Sequence, residues 1–542
     1  MPELKNRGSG ISVVIILLSA LAMLWVIPRL GPHQDENFFV KPVFFPQWSH
    51  TFLTLGGRQY PLLLQAYIGA PKVFLYQAIF VIVQPSLWSL RLPVLGAIIG
   101  SIFLIRSGCI RVGHPLTGNA LAIFLACSPL IMLTSVFDWG PVCMQMLLLG
   151  LAFACWSMGF SKNSIPWLAA SAFFAGLGIW EKMTFAFCFG PMLAILFIAS
   201  LQRLPGKQQI QAVVASALAL LLGVSPLILA TIIATSQPLK ELLALEILPG
   251  YLIKFQMLGR AIVGSSLVGY LTSPNPYWPT ISNAITQTFA HGVAVLLHYG
   301  FQAPGLVVGI MLGAAAVPGP TQNLRWAFIA GEICSWIAMV IFRNLGSSAH
   351  HTVLLIPVLF MLLALTIEDA SKLNPAWRVA IGSLAAIVLL LNLASYADYI
   401  LRFKYLPIPT IWSPAIGSAA TQAIKQQPAP LYTDDWGLDN AVILLSAGKV
   451  VAFPAAPLSG RDGALVVDRQ AAMKILEQRN AVFLGFVAGK QTFPIGPAVL
   501  GELASQQHLN RCVIASFPGR PGGETLVELY RFLPSPNCAP SP

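Results

Sequence analysis

An adjacent acidic pair, Asp35-Glu36, follows the first long apolar run of the chain, within the segment Gly31-Pro-His-Gln-Asp-Glu-Asn-Phe-Phe. A segment in that place emerges at a membrane surface. Two carboxylates fixed beside a bilayer suit one kind of chemistry, general-base or electrostatic work on a substrate that the membrane itself holds. The other reading is a solvated turn past a helix end, the ordinary place for charged side chains.

The elements that must hold this pair are apolar helices. Of 542 residues, 56% are hydrophobic and 10% charged, with a mean hydropathy of +0.73. Uncharged stretches recur from Ile11 to about Ala394. A soluble fold could not bury that much apolar surface, whereas lipid-facing helices need not bury it, so the composition predicts a mainly α, polytopic helical membrane protein surrounded by membrane lipids. The net charge of +12 is spread through short loops, without a basic run or an aromatic-interleaved stripe, which excludes nucleic acid as a partner.

Loop charges set the expected topology. Lys5 and Arg7 precede the first apolar run, and no small-x-small cleavage site follows it, so the run is expected to remain as a first helix with a cytoplasmic N-terminus. Arg106, Arg111, Lys162, Arg203, Lys207, Arg325, Lys372 and Arg378 mark the other cytoplasmic loops. Threading between them places crossings near 11–31, 91–106, 117–135, 140–158, 164–180, 184–201, 211–235, 302–317, 325–342, 352–367 and 378–395. The number is odd, which puts the tail outside together with the segments 31–90, 136–140, 180–183 and 343–351. The stretch 62–83 is broken by Gly69, Pro71 and Lys72 and is expected as one or two interfacial helices. The region 236–302 reads either as an outer loop with horizontal helices or as two further crossings.

Composition changes near residue 400, so residues 1–400 are expected as the membrane domain, 401–427 as a linker rich in proline, and 428–542 as a small extracytoplasmic α/β domain. In the last, Leu431-Tyr-Thr, Ala464-Leu-Val-Val, Ala481 to Val487, Cys512 to Phe517 and Leu526 to Phe532 read as strands. Residues 470–478 and 497–507 read as helices, and the last two strands as a hairpin. Thr433-Asp434-Asp435-Trp436 reads either as a metal or sugar site or as an acidic turn at a strand end. Six of the eight cysteines lie in or near apolar runs without metal-ligand spacing, whereas Cys512 and Cys538 lie in the polar tail, where they could pair.

A first helix followed by Asp35-Glu36, then Tyr67-Ile-Gly-Ala-Pro-Lys-Val-Phe-Leu, then Ser89-Leu-Arg-Leu-Pro93, resembles the N-terminal half of the GT-C membrane glycosyltransferases, the group of the protein O-mannosyltransferases and lipid A aminoarabinose transferases. Ser128-Pro129, Phe137-Asp138 and Ala175-Gly-Leu-Gly-Ile-Trp-Glu-Lys182 continue the resemblance in order. It implies an enzyme that takes a hexosyl or pentosyl group from a polyprenyl-phosphate donor and passes it to a lipid, glycan or protein acceptor at the outer face of the plasma or inner membrane. Asp35 matches the position of the family's base, with Glu36 as its neighbour, and Asp138 resembles a second acidic residue that orients substrate in some members. The usual double proline is replaced by Gly-Ala-Pro-Lys, and no Trp-Trp-Asp motif appears, which argues against an N-oligosaccharyltransferase.

Such a transfer needs a carboxylate to accept the acceptor's proton and cations to stabilise the departing phosphate. On the expected outer face Lys72, Arg91, Lys182, Arg343, His350 and His351 could bind that phosphate, and the two histidines a divalent metal. Each has a plainer reading: Arg91 as a headgroup anchor, Lys182 as the partner of Glu181, the histidines as headgroup-level residues. A flippase for lipid-linked glycans would show repeats and broken helices at mid-membrane, and no repeat is visible. An inactive scaffold presenting the tail domain would not need so many crossings.

Overall fold

The apolar runs fold as helices because, in lipid, only intrahelical hydrogen bonds satisfy the backbone. The computed structural model describes residues 2–65, 67–137, 140–234, 244–245, 249–273, 281–300, 304–342, 348–459, 466–520 and 522–534. Among them seven helices are long and apolar enough to cross a membrane, and an eighth if the pair Pro115–Cys127 and Pro129–Val136, bent by 62° at Ser128, is one span. Pro129 supplies the break, having no N–H to continue the ladder. Shorter apolar helices Ile165–Glu181, Gly190–Leu201 and Gly305–Ala316 lie at three further expected crossings. The protein is a multi-pass helical membrane protein. Burial sorts the spans: the window in Ala349–Ala370 is 94% enclosed by protein, that in Gly206–Ile233 only 22%, so the first is the axis of the bundle and the second faces lipid.

The interfacial reading of 62–83 is corrected in its first half. Thr51–Leu55, Arg58–Gln65 and Ile68–Gly69 form a three-stranded antiparallel sheet, and only Pro71–Ile82 is helical. Gly56-Gly57, both at positive φ, makes the two-residue hairpin turn that pairs Leu55 with Arg58. Within 236–302, helices Pro249–Ile262 and Ala284–Gly300 flank a packed turn at 265–272.

The segment expected as a linker is largely helical. Helix Pro375–Tyr405 runs on past residue 400, and Pro414–Ile424 buries Ala415, Ile416, Ala419 and Ala423 in the core of the C-terminal domain. That domain has a five-stranded sheet in the order Ala452–Pro454, Leu431–Thr433, Val482–Phe486, Thr525–Pro534, Leu509–Pro518; the first three strands are parallel and the last two form the expected hairpin. Alternate strand residues face opposite layers: Val482, Leu484 and Phe486 meet Pro414–Ile424 and Leu438–Leu445, while Phe483 meets Arg469–Leu476 and Ile495–Gln506. The strand Ala452–Pro454 had no clear sequence signal. Val466–Val467 pairs instead with Leu458–Ser459, outside the main sheet. Cys512 is disulfide-bonded, and Cys538, its expected partner, lies outside the described residues.

Candidate active site

Asp35 and Glu36 sit on the single-turn helix Gln34–Asn37, capped by His33, whose Nδ1 accepts from the Asp35 N–H (3.1 Å) while Glu36 Oε2 accepts from the His33 N–H (3.2 Å). Neighbours on a helix point in different directions. That divergence gives the two carboxylates separate surroundings.

Glu36 points inward to Arg91. The guanidinium donates to Oε1 through Nε and to Oε2 through Nη2, both at 2.7 Å, and spends its remaining N–H groups on the carbonyls of Ile27 (2.6 Å), Leu30 (2.8 Å) and Gly31 (2.7 Å). All five arginine donors are therefore used. The phosphate-binding role expected of Arg91, and the reading as a headgroup anchor, both give way: this fully buried pair clamps the end of the first helix to Leu87–Arg111. Glu36, so occupied, is 1% exposed. Sequence could not reveal this, because which of several acidic groups an arginine meets is a tertiary fact.

Asp35 points the other way and keeps 30% of its side-chain surface open. Its Oδ2 accepts from the Tyr270 hydroxyl at 3.1 Å, and His33 Nδ1 lies 3.8 Å away. Crowding by protein pushes the carboxyl up to about 6, against the Tyr270 bond and the charges of Lys182 and Lys72, which pull it down. Tyr270 was missed from sequence, having no motif around it in a region left open between loop and crossings.

Lys182 arrives by a backbone splice. Where helix Ile165–Glu181 ends, Lys182 turns extended and bridges to Ile68, and the Met183 N–H donates to the Tyr67 carbonyl (3.3 Å). Gly69 permits this, since a Cβ there would lie 1.9 Å from the Trp180 carbonyl oxygen. The Gly-Ala-Pro-Lys that replaces the double proline thus contains the contact that sets Lys182. A Cβ on Gly140 would lie 3.8 Å from Lys182 Nζ and 3.6 Å from His350 Cδ2, so Lys182, His350 and Gly140 converge.

Lys72 is fully buried with Nζ 3.8 Å above the Phe39 ring; its backbone N–H, in the first turn of Pro71–Ile82, donates to Glu181 Oε2 (3.3 Å). Its charge bears on Asp35 from within the protein. Glu181 is thereby engaged by Lys72 rather than solely by its neighbour Lys182. His350 Nδ1 bonds Ser348 Oγ (2.8 Å) and faces the Gly140 loop; His351 is buried in the bundle, with no hydrogen-bond partner for either ring nitrogen among the described residues. Asp138 and Arg343 lie outside the described residues. Among the described residues no three His, Cys, Asp or Glu side chains gather as a metal-holding group.

The C-terminal domain closes over this corner. Trp412 stacks on His33 (3.9 Å, 10°), Trp436 meets the same ring edge-on (5.7 Å), Asn440 donates to Gln34 (2.7 Å), and Lys41 pairs with Asp439 (3.0 Å). Below, an apolar cavity of about 370 Å³ between Ile165–Glu181, Gly190–Leu201 and Gly206–Ile233 reaches Ile179, Phe185 and Ala186, close in sequence to Lys182.

A polytopic helical domain whose first loop bears an acid pair, with a small α/β domain closing over it, is a fold this chain shares with a solved structure. ArnT from Cupriavidus metallidurans, solved bound to undecaprenyl phosphate, matches 96% of this chain and 98% of its own at TM-score 0.55 and 12% identity. The oligosaccharyltransferase of Archaeoglobus fulgidus matches 98% of this chain and 75% of its own at TM-score 0.46 and 13% identity, and AglB from the same organism, with an inhibitory peptide and a dolichol-phosphate, does so at 0.44 and 12%. No family model and no curated protein sequence matches the chain.

Proposed function

We propose that the protein is a membrane glycosyltransferase that moves a sugar from a polyprenyl-phosphate donor to an acceptor hydroxyl at the outer face of the plasma or inner membrane, where the C-terminal domain lies. The observation that carries this reading is Asp35, partly open and standing in the fields of Lys182 and Lys72 at one end of the helical bundle. In the reaction the acceptor hydroxyl gives its proton to Asp35 as its oxygen bonds to the anomeric carbon. The bond from that carbon to the phosphate oxygen breaks, and its electron pair leaves with the polyprenyl phosphate, inverting the configuration. Lys182, with Arg343 and His350 as further contacts, stabilises the charge gathering on the leaving phosphate. Asp138, two residues before Gly140 in the sequence, orients the substrate. The apolar cavity below Lys182 suits isoprenoid units that stay among the helices.

Titration of undecaprenyl phosphate into the purified chain tests the donor assignment. Lys182→Met and Arg343→Ala are each expected to weaken binding by roughly 2 kcal/mol, the size of one charge-assisted contact in a poorly solvated site. Arg343→Lys should recover only part, since the point charge survives and the fork does not. Equal affinities throughout, or no binding by the wild type, would favour the inactive scaffold instead. Orientation has its own test: a reporter fused after residue 542 should be active only when exported, and activity confined to the cytoplasm would invert the topology.

A further inference from the structure

The C-terminal domain contains a cleft of about 410 Å³ that the transfer chemistry at Asp35 does not use. Its walls are the segments that follow all three parallel strands: Thr433 to Gly437 after the first, Pro454 and Ala456 at the second, Phe493 and Gly496 after the third. The chain passes from the central strand Leu431–Thr433 through Leu438–Leu445, on one face, to one neighbour, then through Arg469–Leu476, on the other face, to the opposite neighbour Val482–Phe486. The strand order therefore reverses at this spot, and open α/β sheets bind ligands in the crevice at such a reversal, outside the carboxyl ends of the strands.

The lining has a definite chemistry. Trp436 and Phe493 stand perpendicular, ring centres 6.2 Å apart, each 36% exposed. Asp435 is spent on the loop itself, accepting from the N–H groups of Trp436 (2.7 Å), Thr492 (2.7 Å) and Phe493 (3.1 Å), and so holds both rings in place. Asp434, 6% exposed, accepts from the Tyr530 hydroxyl with Oδ2 (2.6 Å), while its Oδ1 has no hydrogen-bond partner among the described residues. A buried carboxylate oxygen without a donor is costly unless a ligand supplies one. Asp439, the other acid of the cleft, is paired with Lys41. Aromatic faces beside a buried carboxylate with an unsatisfied acceptor position match a sugar ring, whose C–H face stacks and whose hydroxyls donate. The acidic lining disfavours phosphorylated or carboxylated ligands.

We propose that this cleft binds a neutral glycan, with a sugar ring on Trp436 and Phe493 and a hydroxyl donating to Asp434. Gln34, which lines the cleft, belongs to the same single-turn helix as Asp35, and on the transferase reading a glycan held here is the acceptor. The acceptor role rests on the transferase reading; glycan binding itself does not.

The test is a glycan array of neutral, amino and anionic oligosaccharides probed with the full detergent-solubilised chain, without donor. Retention is expected on neutral glycans, reduced at least tenfold in Asp434→Asn and Phe493→Ala and abolished in Trp436→Ala. All three variants should keep wild-type elution and undecaprenyl phosphate affinity, which separates failure of this site from failure of the donor assignment. Retention on no neutral glycan, retention on anionic glycans alone, or equal retention by the folded variants would overturn the proposal.

Discussion

Asp35→Asn is expected to lower turnover by roughly two or more powers of ten, the usual contribution of a positioned base, while undecaprenyl phosphate binding is unchanged. The amide keeps the shape of the side chain and can still accept from Tyr270, but it has no lone pair basic enough to take the acceptor's proton. The pH profile carries the same signature. Burial holds the Asp35 carboxyl near 6 rather than its ordinary 3.8, so the wild-type kcat/KM should fall as pH drops through about 6. Whatever activity remains in Asp35→Asn should lack that limb. The effect on stability has the opposite sense. A carboxyl whose folded pKa is raised stabilises the fold fully below its unfolded value, and that contribution is lost as pH rises through about 6. At neutral pH the ionised Asp35 is therefore a cost, and Asp35→Asn should match or exceed the wild type in Tm. Near-wild-type turnover with the acid limb intact would move the base to another carboxylate, with Asp138 first in line.

Removing Arg91 should give a large loss of stability rather than a kinetic defect. Arg91→Ala leaves Glu36, 1% exposed, without its ion-pair partner, and three backbone carbonyls without their donor. Breaking a buried pair from one side costs about 3–5 kcal/mol, because the remaining charge is uncompensated. Arg91→Lys should recover little, since an ammonium cannot reach two carboxylate oxygens and three carbonyls together. In the double variant Glu36→Gln, Arg91→Met the orphaned charge is gone, and much of the loss should return. Denaturation in a fixed detergent reads the three variants against the wild type. If Arg91→Ala folds with wild-type stability yet loses undecaprenyl phosphate, Arg91 is a donor ligand after all and the clamp is dispensable.

The closed Glu36–Arg91 pair shows where reading from sequence runs out. Both residues were visible as charges at one expected surface, and nothing local distinguished a clamp from a phosphate site. The distinction depends on helix Leu87–Arg111 meeting the carbonyls of Ile27, Leu30 and Gly31, a contact across about sixty residues. Tyr270 was equally hidden, since a hydroxyl gains meaning only from what it faces. The hairpin 51–65 was legible in principle from Gly56-Gly57, but the apolar run after it hid the period of its strands.

By itself the sequence determined the class and the layout: apolar runs long enough to span a bilayer, an acid pair after the first, and an α/β tail with a terminal hairpin. These are local properties, set by hydropathy, period and turn chemistry, which each segment carries wherever it is placed. Only the tertiary structure decided which carboxylate stays open and which is locked, which cations lend their charge to Asp35, and how the C-terminal domain brings Trp436 and Asn440 onto the His33-Gln34 corner. Those outcomes depend on a buried charge finding compensation within a few ångströms, and the partners come from segments far apart in the chain.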